Sequence, residues 1–175
     1  MTLAEIPTDT RVFLDANVMV FHFGGDNPFR QDCLGLMQRI EGGQIQGLTS
    51  SIAVAEALHR LMIGEAREQL GLTTSLETVT YLKKHPEVVK GLRRHLPVPS
   101  LIARLGIDIK PVGHIEIHGS KRFRTEHGLL VNDSLLLAVM DRWRVRHLAT
   151  NDKDFDRIPG IHVWTPAESI HAGKE

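Results

Sequence analysis

Four acidic residues sit where an α/β chain seldom keeps an unpaired charge. Asp15 directly follows the apolar run Val12-Phe13-Leu14, Glu56 interrupts a helix that is otherwise apolar nearly all round, Asp133 precedes a helical stripe, and Asp152 follows a short strand-like run. Each has an ordinary structural reading. Asp15 can be a cap with Asn17 in a turn, Glu56 can pair with Arg60 or His59, Asp133 can answer a helix dipole, and Asp152 can be a turn residue. Taken together they ask for more, because carboxylates brought close raise one another's pKa and cannot all ionise without cations between them. Mg²⁺ or Mn²⁺ takes oxygen ligands, keeps several waters and commonly bridges carboxylates to phosphate oxygens.

The elements that would place these groups follow from periodicity and punctuation. Leu136, Leu137, Met140 and Trp143 recur at helical spacing after Asp133, with Asn132 as N-cap, and His147 to Thr150 reads as a strand ending in the turn signal Asn151-Asp152. Val12 to Leu14 reads as a buried parallel strand. Asn27 and Pro28 predict the start of a helix that stops at Gly42-Gly43, and Gln44 to Thr49 predicts a weak strand. Ser50 or Ser51 then caps a helix through Ile63, in which Ile52, Glu56, His59 and Ile63 share one stripe. Thr74 to Glu77 is a capping box for a helix through Lys84, and Pro86 opens another through Leu96. Ser100 to Leu105 is expected as a short helix, Ile107 to Val112 as a strand, Ile115 to Glu126 as a basic helix and Gly160 to Trp164 as a last strand. Thr165-Pro166-Ala167-Glu168 predicts a terminal helix. The fold class is therefore α/β, three-layered, around a mostly parallel sheet whose strand ends carry the ligand site.

Composition bounds the rest. With 175 residues and 42% hydrophobic content, one domain spanning 1–175 with a sizeable core is expected. The 21 basic and 21 acidic residues cancel, but ten Lys or Arg against three acids between Lys83 and Arg124 make the middle of the chain +7 and the remainder −7. Such a basic, insert-like segment (about 83–125) is a candidate grip on a nucleic-acid backbone, with Lys90, Arg93, Arg94, Lys121, Arg122 and Arg124 as its contact residues. It could equally solvate exposed helices or meet an acidic protein. The single cysteine, Cys33, excludes an internal disulfide framework and a zinc-type Cys cluster. No signal-peptide pattern, membrane-length apolar run, P-loop or dinucleotide fingerprint is present, so a cytoplasmic location without a nucleotide cofactor is expected. His114 and His118 have the spacing of two zinc ligands on a helix, but a solvated histidine face is the default.

The order of the acids resembles the PIN-domain ribonucleases, the family that includes the toxin halves of VapBC toxin–antitoxin pairs. The resemblance rests on FLDANV around Asp15, SSIAVAEALHR around Glu56, LLVNDSLLLA around Asp133 and LATNDKDF around Asp152, and spans nearly the whole chain. It implies that Asp15, Asp133 and Asp152 are metal ligands, that Glu56 binds through water or orients it, and that Asn17 and Thr150 support the site. It also implies Asp154 as an extra acid. The implied activity is Mg²⁺- or Mn²⁺-dependent cleavage of RNA, with an antitoxin and a second copy of the chain as expected partners. The basic middle is longer than in compact toxins. Open alternatives are a DNA-directed nuclease of the same fold and a catalytically silent RNA- or protein-binding module; an aspartyl-phosphate phosphatase is disfavoured because Asn17 stands where its second Asp belongs.

Overall fold

The computed structural model describes residues 1–169. Five strands, β1 (Thr10–Leu14), β2 (Ile45–Ser50), β3 (Asp108–Lys110), β4 (His147–Ala149) and β5 (His162–Trp164), form one sheet in the order β3-β2-β1-β4-β5. Every pairing is parallel, with Val12 opposite Gly47 on one side and His147 on the other. The chain runs outward from β1 to β3 on one side and then returns to build β4 and β5 on the other. The strand order thus reverses between β1 and β4, which is where open α/β sheets leave a crevice at their carboxyl ends.

Alternation along β1 sends its side chains to two cores. Val12 and Leu14 join the cluster under α1 (Ala16–Phe23), α2 (Arg30–Glu41), the first half of α3 (Ser51–Leu70) and α6 (Val98–Arg104). Phe13 joins Leu48, Leu137, Val139, Met140, Leu148 and Phe155 on the opposite face, beneath α8 (Val131–Arg142) and α7 (His114–His127). Gly47 lets Ile40 and Ile107 close onto β2, since a Cβ there would lie 3.1 Å from both. The far half of α3 carries a small third core, in which Ile63, Ala66, Leu82 and Leu92 are buried against α4 (Ser75–Lys84) and α5 (Pro86–Gly91).

The chain departs from the sequence reading at several places. An unforeseen helix, α1, follows β1 directly, with Asp15 as its N-cap. The helix expected from Asn27 starts only at Arg30, because the Asn27 side chain is taken up by Phe29 N–H and the carbonyls of Phe21 and Gly25. α3 runs beyond Ile63 to Leu70, so Glu56 is not its only acid: Glu65 and Glu68 follow. α5 ends at Gly91 rather than Leu96, because the Glu65 carboxylate accepts the backbone N–H groups of Arg93 (2.9 Å) and Arg94 (2.8 Å) and turns the chain there. Asn132 is inside the first turn of α8, with Leu130 in the cap position, and Trp143 is its C-cap. The terminal helix is not formed over 165–169, where Thr165, Ala167 and Ser169 donate their N–H groups to Met1, Asp32 and Pro28 instead; the remainder of that expectation lies outside the described residues. Among the described residues no helix is long and apolar enough to cross a membrane.

Candidate active site

Asp15 leaves the end of β1, and Thr150 and Asp152 leave the end of β4, on either side of the point where the strand order reverses. The short β4 ends at Ala149 and β5 holds its far side, so the loop after it is fixed at Thr150, whose N–H donates to Trp164. A buried network sets Asp15. Thr150 donates its hydroxyl to Asp15 Oδ2 at 2.7 Å, Asn17 Nδ2 donates to the same oxygen at 2.5 Å, and Ala16 N–H donates to Oδ1 at 2.6 Å. The Thr150 oxygen in turn accepts from Asp152 N–H and Asn17 Nδ2, and Asn17 Oδ1 accepts from Asn151 N–H. One threonine therefore ties the acid after β1 to the acid after β4.

α8 brings in Asp133 from below the other face, and α3 brings in Glu56. Asp15, Glu56 and Asp133 line a cleft of about 20 Å³ with Ser50 and Asn132, room for about one water-sized sphere. Oxygens of Asp133, Asp152 and Asp154 all lie within 4.8 Å of one another. Asp133 thus belongs to both groups. Asp154 N–H donates to Asp152 Oδ1, which shapes the single turn of 3₁₀ helix at Lys153–Phe155 and holds the two acids side by side.

The electrostatics follow from this crowding. Desolvation, followed by Asp152, Asp15, Glu56 and Asp154, pushes the Asp133 carboxyl up to about 6. Burial also raises Asp15 above the usual carboxylate range, against the hydrogen bonds from Thr150 and Ala16 that favour its charged form. Glu56 is the most open of the three acids lining the cleft, its side chain 37% exposed and 3.7 Å from Arg60, while Asp154 on the rim is 56% exposed. The buried salt bridge considered for Glu56 is accordingly a loose, solvent-facing pair. The donor set is all oxygen, which suits a hard divalent cation rather than zinc. His114 and His118 are exposed on α7 with ring centroids 6.3 Å apart, and among the described residues they gather no third ligand.

The same convergence does not extend to the basic residues. Arg94 pairs with Glu68 at 2.6 Å, Arg124 donates to Ser120 and Ser134, and Arg122 pairs with Asp141 at 2.5 Å. Arg93 donates its guanidinium to the carbonyls of Lys90 and Leu92; Lys90 and Lys121 are exposed. Two cleft residues, Ser50 and Asn132, escaped the sequence reading as site residues because each looked like a helix cap; Ser50 is one, donating nothing outward and accepting from Ala53 N–H at 3.1 Å. The remaining signal for Asn132 was its adjacency to Asp133.

The PIN domain family matches residues 12–161. The chain belongs to that family. At the sequence level it is 21% identical over 157 residues to Ribonuclease VapC2 of Methanocaldococcus jannaschii, covering 89% of this chain and 93% of that protein. Its fold is shared with a toxin–antitoxin complex from Klebsiella pneumoniae, with TM-score 0.54, 23% identity and coverage of 90% of this chain and 98% of the other. A further neighbour is VapBC2 from Rickettsia felis bound to a promoter DNA fragment (TM-score 0.54, 17% identity, 89% and 98% coverage). The PIN-type α/β/α architecture expected from the order of the acids is thereby established.

Proposed function

We propose that this PIN protein is a divalent-metal-dependent endoribonuclease and serves as the toxin of a toxin–antitoxin pair, acting in the cytoplasm. The observation that carries the reading is the double membership of Asp133, which shares one carboxylate group with Asp15 and Glu56 and another with Asp152 and Asp154. The likeness to a VapC ribonuclease and to toxin–antitoxin complexes supports the choice of RNA and of an antitoxin partner; a second copy of the chain is the other partner proposed. Asp15, Asp133, Asp152 and Asp154 would hold one or two Mg²⁺ or Mn²⁺ ions. Bound there, the metal would supply Lewis-acid stabilisation of charge developing on the phosphate oxygens.

The chain's own residues do the rest. Thr150 and Asn17 fix the Asp15 oxygens before any ligand arrives, so no reorganisation is needed at the reacting centre. Glu56, open to solvent beside the cleft, would orient the attacking water or bind the cation through water. Asp133, raised to about 6, and Asp15, raised by burial, are carboxylates whose charged forms a bound cation would favour. Lys90 and Lys121 remain candidates for backbone contact; use of Arg94, Arg122 or Arg124 would require breaking their bonds to Glu68, Asp141 or Ser134, and use of Arg93 its bonds to the Lys90 and Leu92 carbonyls.

The test is hydrolysis of a mixed RNA with Mg²⁺ or Mn²⁺ by the parent protein and by Asp133→Asn. Cleavage that needs metal and disappears in the variant is expected, and undiminished cleavage by the variant would remove the assignment. Neutralisation by a co-expressed small protein that copurifies with the chain tests the toxin role separately.

A further inference from the structure

A second site stands at the other end of α8. Its last turn and the residues after it read Asp141-Arg142-Trp143-Arg144-Val145-Arg146, and the fold adds cations from elsewhere in the chain. Arg11, at the start of β1, donates to the Trp143 carbonyl at 3.0 Å; Lys110 lies 3.7 Å over the Trp143 ring; Arg122 of α7 meets Asp141. The acids among them are already engaged. Asp141 is shared by Arg122 and Arg146, Asp108 is paired with Lys110, and buried Glu116 is paired with Arg142 and the Gly113 N–H. Six cations face three spoken-for acids. Arg11 and Arg144 form no ion pair among the described residues, and Arg144 is held in the left-handed region at φ 54°, exposed.

Beside these cations lies a cavity of about 350 Å³ between α7 and α8, with Ile115, Phe123 and Ala138 as apolar walls, Gly119 opening it, and Arg122 and Arg142 at its lining beside their partners Asp141 and Glu116; the Arg122 guanidinium lies 4.5 Å over the Phe123 ring. The size is that of a small-molecule pocket. An apolar slot with an aromatic wall and guanidinium groups beside it suits an unstacked base whose phosphates lie on the arginines, the mode by which single-stranded RNA is commonly held. An acidic peptide would use the arginines too but fills the slot only where it carries an aromatic side chain, whereas every nucleotide carries a flat base.

We propose that this cavity and Arg11, Arg122, Arg142, Arg144 and Arg146 form a subsite for one nucleotide of single-stranded RNA, remote from the scissile bond. Asp133 and Asp141 are eight residues apart on α8, so the subsite is about 12 Å from the carboxylates along the helix axis. It solves the problem that an acidic pocket repels the phosphate it must cut, because the strand is held on the same helix but beyond the reach of the carboxylates' field, which salt screens over about 8–10 Å. The proposal rests on the ribonuclease reading for the identity of its ligand.

The test measures binding of a short fluorescein-labelled single-stranded RNA by anisotropy, in the Asp133→Asn background so that the RNA is not cut, over a range of salt. Arg11→Gln, Arg144→Asn and Arg146→Gln together remove three cations without disturbing the Glu116 pair, and asparagine suits the left-handed backbone at 144. This variant should bind at least about tenfold more weakly, with the salt slope smaller by about 0.7 to 1.4, for the one or two phosphates that flank a single nucleotide. Gly119→Leu should fill the slot, since nothing lies within 4 Å of a Cβ added at Gly119, and should weaken binding about five- to tenfold with the slope unchanged. Ile115→Ser, at an exposed wall position, gives the same reading should the leucine variant fold poorly. Parent affinity and slope in the triple variant would overturn the subsite. Weaker binding by the triple variant alone, with both cavity variants unaffected, would overturn the nucleotide slot. Loss of metal-dependent cleavage in Asp133→Asn is scored on the uncut-background question alone, so failure of the ribonuclease reading and failure of the subsite are separate results.

Discussion

The acids and the bases of this chain behave oppositely on folding. Asp15, Glu56, Asp133 and Asp152 are spread over most of the sequence and meet in one crevice, whereas the cations between Lys83 and Arg124 are neighbours in sequence and part company in the fold. Lys83 to Arg94 go with α4 and α5 against the outer half of α3, Arg104 goes to α6 under one face of the sheet, and Lys121 to Arg124 go to α7 on the other face. The lesson is that charge density along a chain becomes a surface only if the elements carrying it share a side. Positions at strand ends converge because the parallel sheet directs them to one edge.

Breaking the acidic side should give the largest effect. Asp133→Asn is expected to lower Mn²⁺-dependent RNA cleavage by at least about 100-fold, since even groups that merely support metal ligands cost 10–100-fold; cleavage is followed on a labelled RNA. On the basic side, Glu65→Ala should instead damage the fold. It strands the partly buried N–H groups of Arg93 and Arg94, and a loss of about 1–3 kcal/mol, read by urea denaturation, is expected. If that variant is as stable as the parent, the middle segment is not anchored through Glu65.

The raised pKa of Asp133 gives a smaller, signed effect. Between its unfolded value near 4 and the folded value of about 6, the folded state binds more protons than the unfolded one, so metal-free stability should fall as pH rises through that window and stay low above it. Asp133→Asn should remove its share of the decline, leaving that of Asp15, and make the metal-free protein about 1–2 kcal/mol more stable at pH 7.5 than the parent, a figure already discounted for the partial exposure of the carboxyl. Thermal melts at pH 4.5 and 7.5, without metal, check both statements. Thr150→Val should cost about 1–2 kcal/mol and shrink the rise in melting temperature that Mn²⁺ produces, because Asp15 loses a donor and Asp152 N–H an acceptor.

The smallest effect sharpens the contrast. Arg93→Ala with Arg94→Ala should weaken RNA binding less than about threefold and change the salt slope by less than the roughly 0.7 of a single phosphate, because Arg94 is spent on Glu68 and Arg93 on its own turn. A larger slope change would return the middle segment to the RNA.

Much of the sheet was legible because its strands are short apolar runs closed by turn residues, as at Val12 to Leu14 and His147 to Thr150. Helix ends were less so. Pro86 does open a helix, but its end at Gly91 is dictated by Glu65, more than twenty residues earlier in the chain, and no local rule reaches that far. α1 (Ala16–Phe23) was hidden because Val18 to Phe23 are apolar apart from His22 and show no helical stripe.

By itself the sequence determined which residues could do the chemistry: a carboxylate after each of two strands, one on an apolar helix and one at a helix start, all of a type that cannot be buried together without cations. Tertiary structure alone decided that Asp133 joins two groups of acids, that one threonine ties Asp15 to Asp152, and that Arg11 and Lys110 come to Trp143 from distant strands. The physical reason is range. Capping, periodicity and turn preference act over a few residues, while pKa shifts and charged surfaces depend on distances through space that the order of strands in the sheet sets.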